Sequence, residues 1–299
     1  MKCIVCGNNC WQQMFPVRDR MFCLPGVFFE YKCVSCGFVR LDPQPSALEI
    51  RKYYPSRTYY SYSAGTKKSF FGVLRRHLIM HPLPGGLLQV PAMPTKKEGK
   101  ILDIGCGSGD TLATLKDAGW DAYGMDIDAS AVAAAKKRGL SYVSLGTYKD
   151  LAKYRDNFFD VIRLYHVIEH LDDPGLCLRL ARKKLKKGGE LIIGTPNVGS
   201  LVARLFGARW YNMDAPRHLY LYTPKTLRNI LKKNNVMDIS ITFHSAGGWV
   251  GSIQYVLNDI LSKRIDLVNR PWLILLFYPF ELLLDVIGAG DVMVARGHK

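Results

Sequence analysis

The chain has 299 residues, 48% of them hydrophobic, enough for one large domain with smaller attachments. Its 41 Lys and Arg against 25 Asp and Glu give a formal net charge of +16. That balance favours an anionic partner (a phosphorylated substrate, RNA or an anionic membrane surface), the alternative being a solvated basic surface. Met1-Lys-Cys-Ile-Val-Cys lacks the apolar run of a secretory signal, so the eight cysteines argue against a disulfide framework and for the cytoplasm.

Cys3-Ile-Val-Cys6-Gly7 and Cys33-Val-Ser-Cys36-Gly37 are two C-x-x-C-G knuckles. Each turns two thiolates toward one point, and two knuckles complete a tetrahedral zinc site with Cys3, Cys6, Cys33 and Cys36 as ligands. All four positions are filled by sulfur, so the zinc is structural. Cys10 and Cys23 are spare, although either could compete as a ligand. Met21 to Tyr31 reads as a small hairpin between the knuckles. So short a ribbon has little core, and metal binding would supply its folding energy. Few cations lie between its cysteines, which favours a lid or partner surface over a nucleic-acid grip.

From Ser46 to Met80 the pattern is helix and loop. Tyr53, Tyr54, Tyr59, Tyr60 and Tyr62 form an aromatic cluster that either stacks on a sugar ring or packs an interdomain face. The proline- and glycine-rich stretch from His81 to Gly99 breaks regular structure.

Ile101 to Ile104 reads as a buried strand, Gly105, Gly107 and Gly109 as a glycine loop, and Thr111 to Ala118 as a helix. Glycines at alternate positions permit positive φ and close approach of backbone to a ligand, and a helix N-terminus follows. The spacing is GxGxG with Asp110 where a third dinucleotide glycine would stand, which weakens a dinucleotide reading. Asp103 suits a ligand carrying an ammonium group. The next strand, 121–126, ends in Asp126, the usual place for a ribose-hydroxyl acceptor. A helix over Ser130 to Arg138, capped by Asp128 or Ser130, leads to a third strand at 142–145. Phe159 to Tyr165 is the fourth strand; its carboxyl end should face the ligand, which puts Tyr165, His166 and Glu169 nearby. Asp173-Pro174 starts a helix predicted to run to Lys187 with a basic cluster, ended by Gly188-Gly189. Glu190 to Thr195 is the fifth strand, Asp238 to Phe243 the sixth and Asp291 to Arg296 the seventh. Thr195-Pro-Asn197 differs from the N-P-P-Y type motif of adenine amino-group methylation.

From about Gly99 to Leu231 the glycine loop, Asp126, "FDVI…HVIEHLDDP" and "KKGGELIIGTPN" stand in an order that resembles class I S-adenosylmethionine-dependent methyltransferases, in particular the group acting on small molecules and saccharides. The resemblance implies an α/β, Rossmann-like seven-stranded sheet whose last strand runs antiparallel between the fifth and sixth. It implies a donor pocket of Asp103, Gly105, Cys106, Gly107, Gly109, Asp126, Ile127 and Tyr165. The acidic residue that often contacts adenine after the third strand is missing, so Thr147 or backbone N–H groups would serve instead. "GFVRLDPQPSALEIRKYY" resembles the leader that carries a zinc ribbon in many such enzymes. A histidine before an "LYLYTP"-like run faces the substrate in many of them. His218 is therefore the first candidate for general base and His166 the second, with the alternatives that His166 only hydrogen-bonds the donor or backbone and that His170 orients a turn. The organisation expected is a ribbon over 1–42, a helical linker over 43–98 and a methyltransferase domain over 99–299. The leading function is methyl transfer to a small molecule or saccharide, on a hydroxyl, in surface-glycan assembly. The rivals are a ribosomal-RNA base methyltransferase and a non-catalytic donor-binding module.

A hydrophobic insertion over about 247–289 interrupts the domain, its densest part being 271–288. A bilayer span needs about 20 predominantly apolar residues, and Pro279, Glu281 and Asp285 interrupt this one. Three alternatives stand: a span, a buried cap helix, or a helix on a membrane surface at the inner face of the cytoplasmic membrane, aided by Lys263, Arg264 and Arg270.

Overall fold

A computed structural model describes residues 1–55, 92–245 and 247–299. Tyr59, Tyr60, Tyr62 and most of the proline- and glycine-rich stretch lie outside those residues. The strands are β1 (Trp11–Val17), β2 (Phe28–Cys33), β3 (Val39–Asp42), β4 (Lys100–Ile104), β5 (Asp121–Asp126), β6 (Tyr142–Leu145), β7 (Phe159–Tyr165), β8 (Leu185–Pro196), β9 (Tyr220–Leu221), β10 (Met237–Phe243) and β11 (Val292–His298). The α-helices are α1 (Asp110–Asp117), α2 (Ala129–Lys137), α3 (Pro174–Lys184), α4 (Leu201–Phe206), α5 (Pro224–Lys233), α6 (Gly248–Leu261) and α7 (Pro271–Val286).

The central sheet has the order β10-β11-β8-β7-β4-β5-β6. From β8 to β6 every neighbouring pair is parallel, and β11 runs antiparallel to both β8 and β10, as the resemblance implied. β4, β7 and β8 are apolar and buried because helices cover both faces. From β4 the chain winds outward to β5 and β6, then returns to the other side of β4 for β7 and β8. The strand order therefore reverses at β4, and a crevice opens at the carboxyl ends there.

Helix starts follow the sequence signals. Asp128 caps α2 by accepting the Ala131 N–H at 2.8 Å, and Asp173 caps α3 by accepting that of Leu176 at 2.8 Å with Pro174 at the first position. α3 stops at Lys184, short of the predicted Lys187. Buried Lys184 reaches Asp156 and the Tyr154 carbonyl, Leu185 already pairs with Phe159, and the Gly188 turn (φ 65°) is absorbed as an irregularity within β8.

The N-terminal hairpin is formed by β1 and β2, not within Met21–Tyr31 as predicted. Pro16 and mostly exposed side chains hide β1 from a period-2 reading, and the pairing shifts register between Gln13 and Pro16. β3 extends this sheet, and β9 closes it from the distant half of the chain through Val39–Leu221 and Arg40–Tyr220. The small sheet is thus built from both halves of the sequence.

The insertion folds as α6 and α7. Gly247 gives α6 no side-chain cap, and Glu281 of α7 supplies one: both its oxygens accept the Gly247 N–H at 3.0 Å. Asp285, one turn further, accepts the Ser245 N–H at 2.8 Å and its hydroxyl at 2.7 Å. Among the described residues no helix is long and apolar enough to cross a membrane.

Glu30 on β2 is buried with neither carboxylate oxygen hydrogen-bonded, and burial pushes its pKa up to about 8. In the folded chain it holds a proton that the unfolded chain releases near 4.5, the ordinary glutamate value. Stability should therefore fall as pH rises from about 4.5 to 8. Glu30→Gln should flatten that slope, so that the variant gains on the wild type between about pH 5 and pH 8, measured by denaturant unfolding at the two pH values. An unchanged slope would contradict it.

Candidate active site

The crevice is floored by the loop from β4 to α1. Gly105, Gly107 and Gly109 all take positive φ (73°, 53° and 77°). A Cβ on Gly105 would stand 2.4 Å from Val167, and one on Gly109 would stand 2.4 Å from Leu140. Only glycine lets the loop turn this closely against its neighbours. The N–H groups of Gly105 and Cys106 both reach the Met125 carbonyl, which fastens the loop to β5.

Asp126 ends β5 beside this loop, as expected. One of its oxygens accepts the Gly107 N–H at 2.8 Å and the other the Asp128 N–H at 2.9 Å. Each oxygen keeps a further lone pair, enough for ribose hydroxyls. Ile127 follows with its side chain 68% exposed, an apolar cover beside the loop. Thr147 is occupied by a capping box with Asp150.

Asp103 differs from expectation. Both its oxygens are taken by Arg163 Nη1, at 2.9 and 2.8 Å, in a buried pair. The two residues face each other in the β4–β7 register. The ammonium partner expected from the ligand is thus supplanted by a guanidinium from the next strand. Asp103 holds the sheet together here, and Arg163 also lies 4.7 Å from the centre of the Tyr165 ring. An arginine in the apolar run Phe159-Asp-Val-Ile-Arg-Leu-Tyr165 was the available signal. A buried cation needs a buried anion, and Asp103 is the one in register.

Beyond β7 three histidines gather around one carboxylate. His166 has φ 54°, an uncommon conformation for a residue with a side chain. Its N–H is held by the Gly194 carbonyl at 2.9 Å, and its Nδ1 lies 3.2 Å from Glu169 Oε1. Glu169 is fully buried and also accepts the Thr195 hydroxyl at 3.0 Å. Burial alone would raise its pKa, but the hydrogen bond from His166 and the field of His170 and His218 hold it down at about 2. His218 donates Nδ1–H to the Asn212 carbonyl at 2.9 Å and so aims an unprotonated Nε2 at Glu169, 4.0 Å away. Burial and the neighbouring His170 lower the His218 pKa to about 4. His170 donates Nδ1–H to the Arg217 carbonyl at 2.9 Å. Glu169, His170 and His218 each offer an atom within 4.8 Å of the others, close enough to hold a cation. The base ranked first from sequence is thus a buried, weakly basic imidazole. The one ranked second is the more open, with 30% of its side chain exposed, and is oriented by a buried carboxylate.

The N-terminal module is tied to this cluster through Arg217. Its buried guanidinium bonds Asp19 at 2.8 Å, Asp214 at 2.6 Å and the Tyr53 carbonyl at 2.9 Å. Burial alone would raise the Asp214 pKa; Arg217 outweighs it and holds the carboxyl below the usual range. The four knuckle cysteines converge, with Cys3–Cys36 and Cys6–Cys33 sulfurs 3.6 Å apart and all four within 4.8 Å. Tetrahedral zinc with bonds of about 2.3 Å sets its sulfurs about 3.8 Å apart, so the set fits the ion. The knuckles repeat one geometry: Gly7 and Gly37 have φ 81° and 80°, and each donates its N–H to the first cysteine's carbonyl at 2.8 Å. Cys10 and Cys23 stay outside the group.

Part of the basic cluster around α3 is spent on internal contacts, while Arg179, Lys183 and Lys187 stay exposed. Lys183 and Lys184 meet Asp156, Lys186 meets Asp160, and Arg182 donates to the Asn235 carbonyl.

Residues 77–240 match a family model described as a methyltransferase domain. A ubiquinone biosynthesis O-methyltransferase of Aliivibrio fischeri is 26% identical over 155 residues, 48% of this chain and 66% of its own length. One of Pseudomonas syringae is 32% identical over 103 residues, 33% of this chain and 44% of its own length. The chain thus spans less than two thirds of the length of these relatives. A solved structure from Thermotoga maritima, described as a possible histamine N-methyltransferase, shares the fold with a TM-score of 0.50 at 20% identity, covering 84% of this chain and 96% of that one. The [4+2]-cyclase SpnF does so with a TM-score of 0.50 at 18% identity, covering 86% and 98%.

Arg217→Leu leaves Asp19 and Asp214 buried without their cation. It should cost about 3–5 kcal/mol of stability, read as a fall in the denaturant midpoint. A loss below about 1 kcal/mol would mean that the pair contributes little beyond packing.

Proposed function

This chain belongs to the methyltransferase-domain family, and from that premise we propose that it transfers a methyl group from S-adenosylmethionine to a hydroxyl of a small molecule. When bound, S-adenosylmethionine supplies a methyl already activated by its sulfonium. The glycine loop would hold the nucleoside close to backbone, with Asp126 as acceptor for its ribose and Ile127 as apolar cover beside the loop. A solved neighbour described as a cyclase shares the fold, so fold alone does not carry this reading. The His166–Glu169 pair does. It sits where β7 ends, and its neighbour Val167 reaches Gly105 across the crevice.

With the methyl already activated, the protein's remaining work is alignment and removal of the acceptor's proton. We assign the base to His166 rather than His218. The Glu169 carboxylate holds Nδ1 and leaves Nε2 for the acceptor hydroxyl, the logic of an imidazole oriented by a buried acid. His218, its Nδ1–H committed to the Asn212 carbonyl, shapes the pocket wall beside that carboxylate. The relatives named for O-methylation in ubiquinone biosynthesis support a hydroxyl acceptor; a saccharide hydroxyl is the class the sequence resemblance favours. The pairing of Lys184 with Asp156 and of Lys186 with Asp160 leaves fewer of the cations around α3 to meet an RNA substrate.

The four cysteines hold structural zinc in this reading, and the ribbon serves as a wall braced through Asp19 and Arg217. Elemental analysis should find one zinc per chain, and Cys33→Ser should lose it together with the fold of the small sheet. Purified chain with no zinc and an intact small sheet would contradict this.

Incubation with labelled donor and separated saccharide, lipid and RNA pools should label a saccharide or other small molecule and leave RNA unlabelled. With that acceptor, His166→Ala should lower kcat about 10²–10⁴-fold while donor affinity stays within about twofold. An unchanged kcat would reject His166 as base.

A further inference from the structure

We propose that the outward face of α7, with the basic loop before it, docks on an anionic bilayer surface. This goes beyond the methyl-transfer reading and does not depend on it. α7 turns Trp272, Leu275, Leu276, Phe280, Leu283 and Val286 outward, with Trp272 60%, Leu276 67% and Val286 76% exposed. Their spacing of three and four places them on one helix face. The helix's two acids are kept off that face: Glu281 is buried against the start of α6, and Asp285 is engaged by Ser245. A helix otherwise able to present two negative charges thus shows an uncharged surface.

Charge selects the occupant. Lys263, Arg264 and Arg270 are exposed in the segment joining α6 to α7, where Asp266 is the one exposed acid. Ile260 and Leu261, exposed at the end of α6, continue the apolar surface to that segment. An apolar stripe with cations and a tryptophan at one end matches a bilayer interface, where ring and aliphatic groups enter the acyl boundary and cations meet phosphates. A second copy of the chain would set these cations near one another across a twofold axis if the same ends met, without supplying acids to pair them. Sixteen residues lie in the plane of the interface rather than across it. Lys263 and Arg264 also line a cavity of about 420 Å³ together with Arg18 and Tyr255, so docking would set its mouth at headgroup level.

The test is sedimentation of the full chain with vesicles of phosphatidylcholine alone or with a third of phosphatidylglycerol, at physiological salt. The expected result is binding to the anionic vesicles at least tenfold tighter than to the neutral ones. Leu276→Glu with Leu283→Glu should weaken it at least tenfold, and Lys263→Glu with Arg270→Glu at least fivefold. Thermal unfolding should be unchanged in both variants, because all four side chains are exposed. Absence of binding by the wild type would overturn the proposal. So would binding indifferent to the leucine substitutions, or a wild-type dimer that those substitutions dissociate while vesicle binding persists.

Discussion

The constraint on which the structure turns is the path of the chain between Ile104 and Asp110. β4 must end, reverse its direction of travel and enter α1 within a few residues, against β5 on one side and Val167 on the other. Three positive φ angles accomplish this, and only glycine holds them without strain while leaving no side chain in the way. The turn brings the Gly107 N–H onto Asp126 and so fixes the carboxylate that faces the crevice. The order of the strands follows the same logic, since the sheet winds away from β4 in both directions and leaves the crevice open at that point.

Two buried arginines brace this crevice in different ways. Arg163 pairs with Asp103 within the sheet and ties β4 to β7 directly beneath the loop. Arg217 works between modules, joining Asp19 of the N-terminal segment to Asp214 and presenting its own carbonyl to His170. Both are costly to bury alone and are tolerated because each is matched by carboxylates in good geometry. The imidazoles therefore stand on a frame assembled from both halves of the chain. β9 adds to this connection by pairing with β3 at Val39, beside the end of β2 that leads into Cys33.

Much of this was legible in the sequence. The glycine loop, Asp126, the capping residues Asp128 and Asp173, and six of the seven strands of the large sheet are local patterns with local causes and appear where the patterns put them; the fifth strand begins five residues earlier, at Leu185. The paired knuckles were equally plain, because four thiols at that spacing have one economical arrangement. What escaped was non-local. Asp103 looked like a ligand contact because its partner lies on another strand. β1 lacks the alternation of a half-buried strand because much of it faces solvent. Glu281 and Asp285 looked like interruptions of an apolar helix, whereas each caps or anchors the start of α6. The burial of His218 and the greater exposure of His166, on which we base our choice between them, are not carried by a resemblance.

The central claim is that the three-glycine turn and Asp126 bind a sulfonium nucleoside. Isothermal calorimetry with S-adenosylhomocysteine, on the wild type and on Asp126→Ala, tests it most directly. The account predicts binding by the wild type and a loss of about 10- to 100-fold in the variant, the value of hydrogen bonds to a charged acceptor. Binding of a nicotinamide dinucleotide with none of the adenosyl compound, or an affinity indifferent to Asp126, would contradict it.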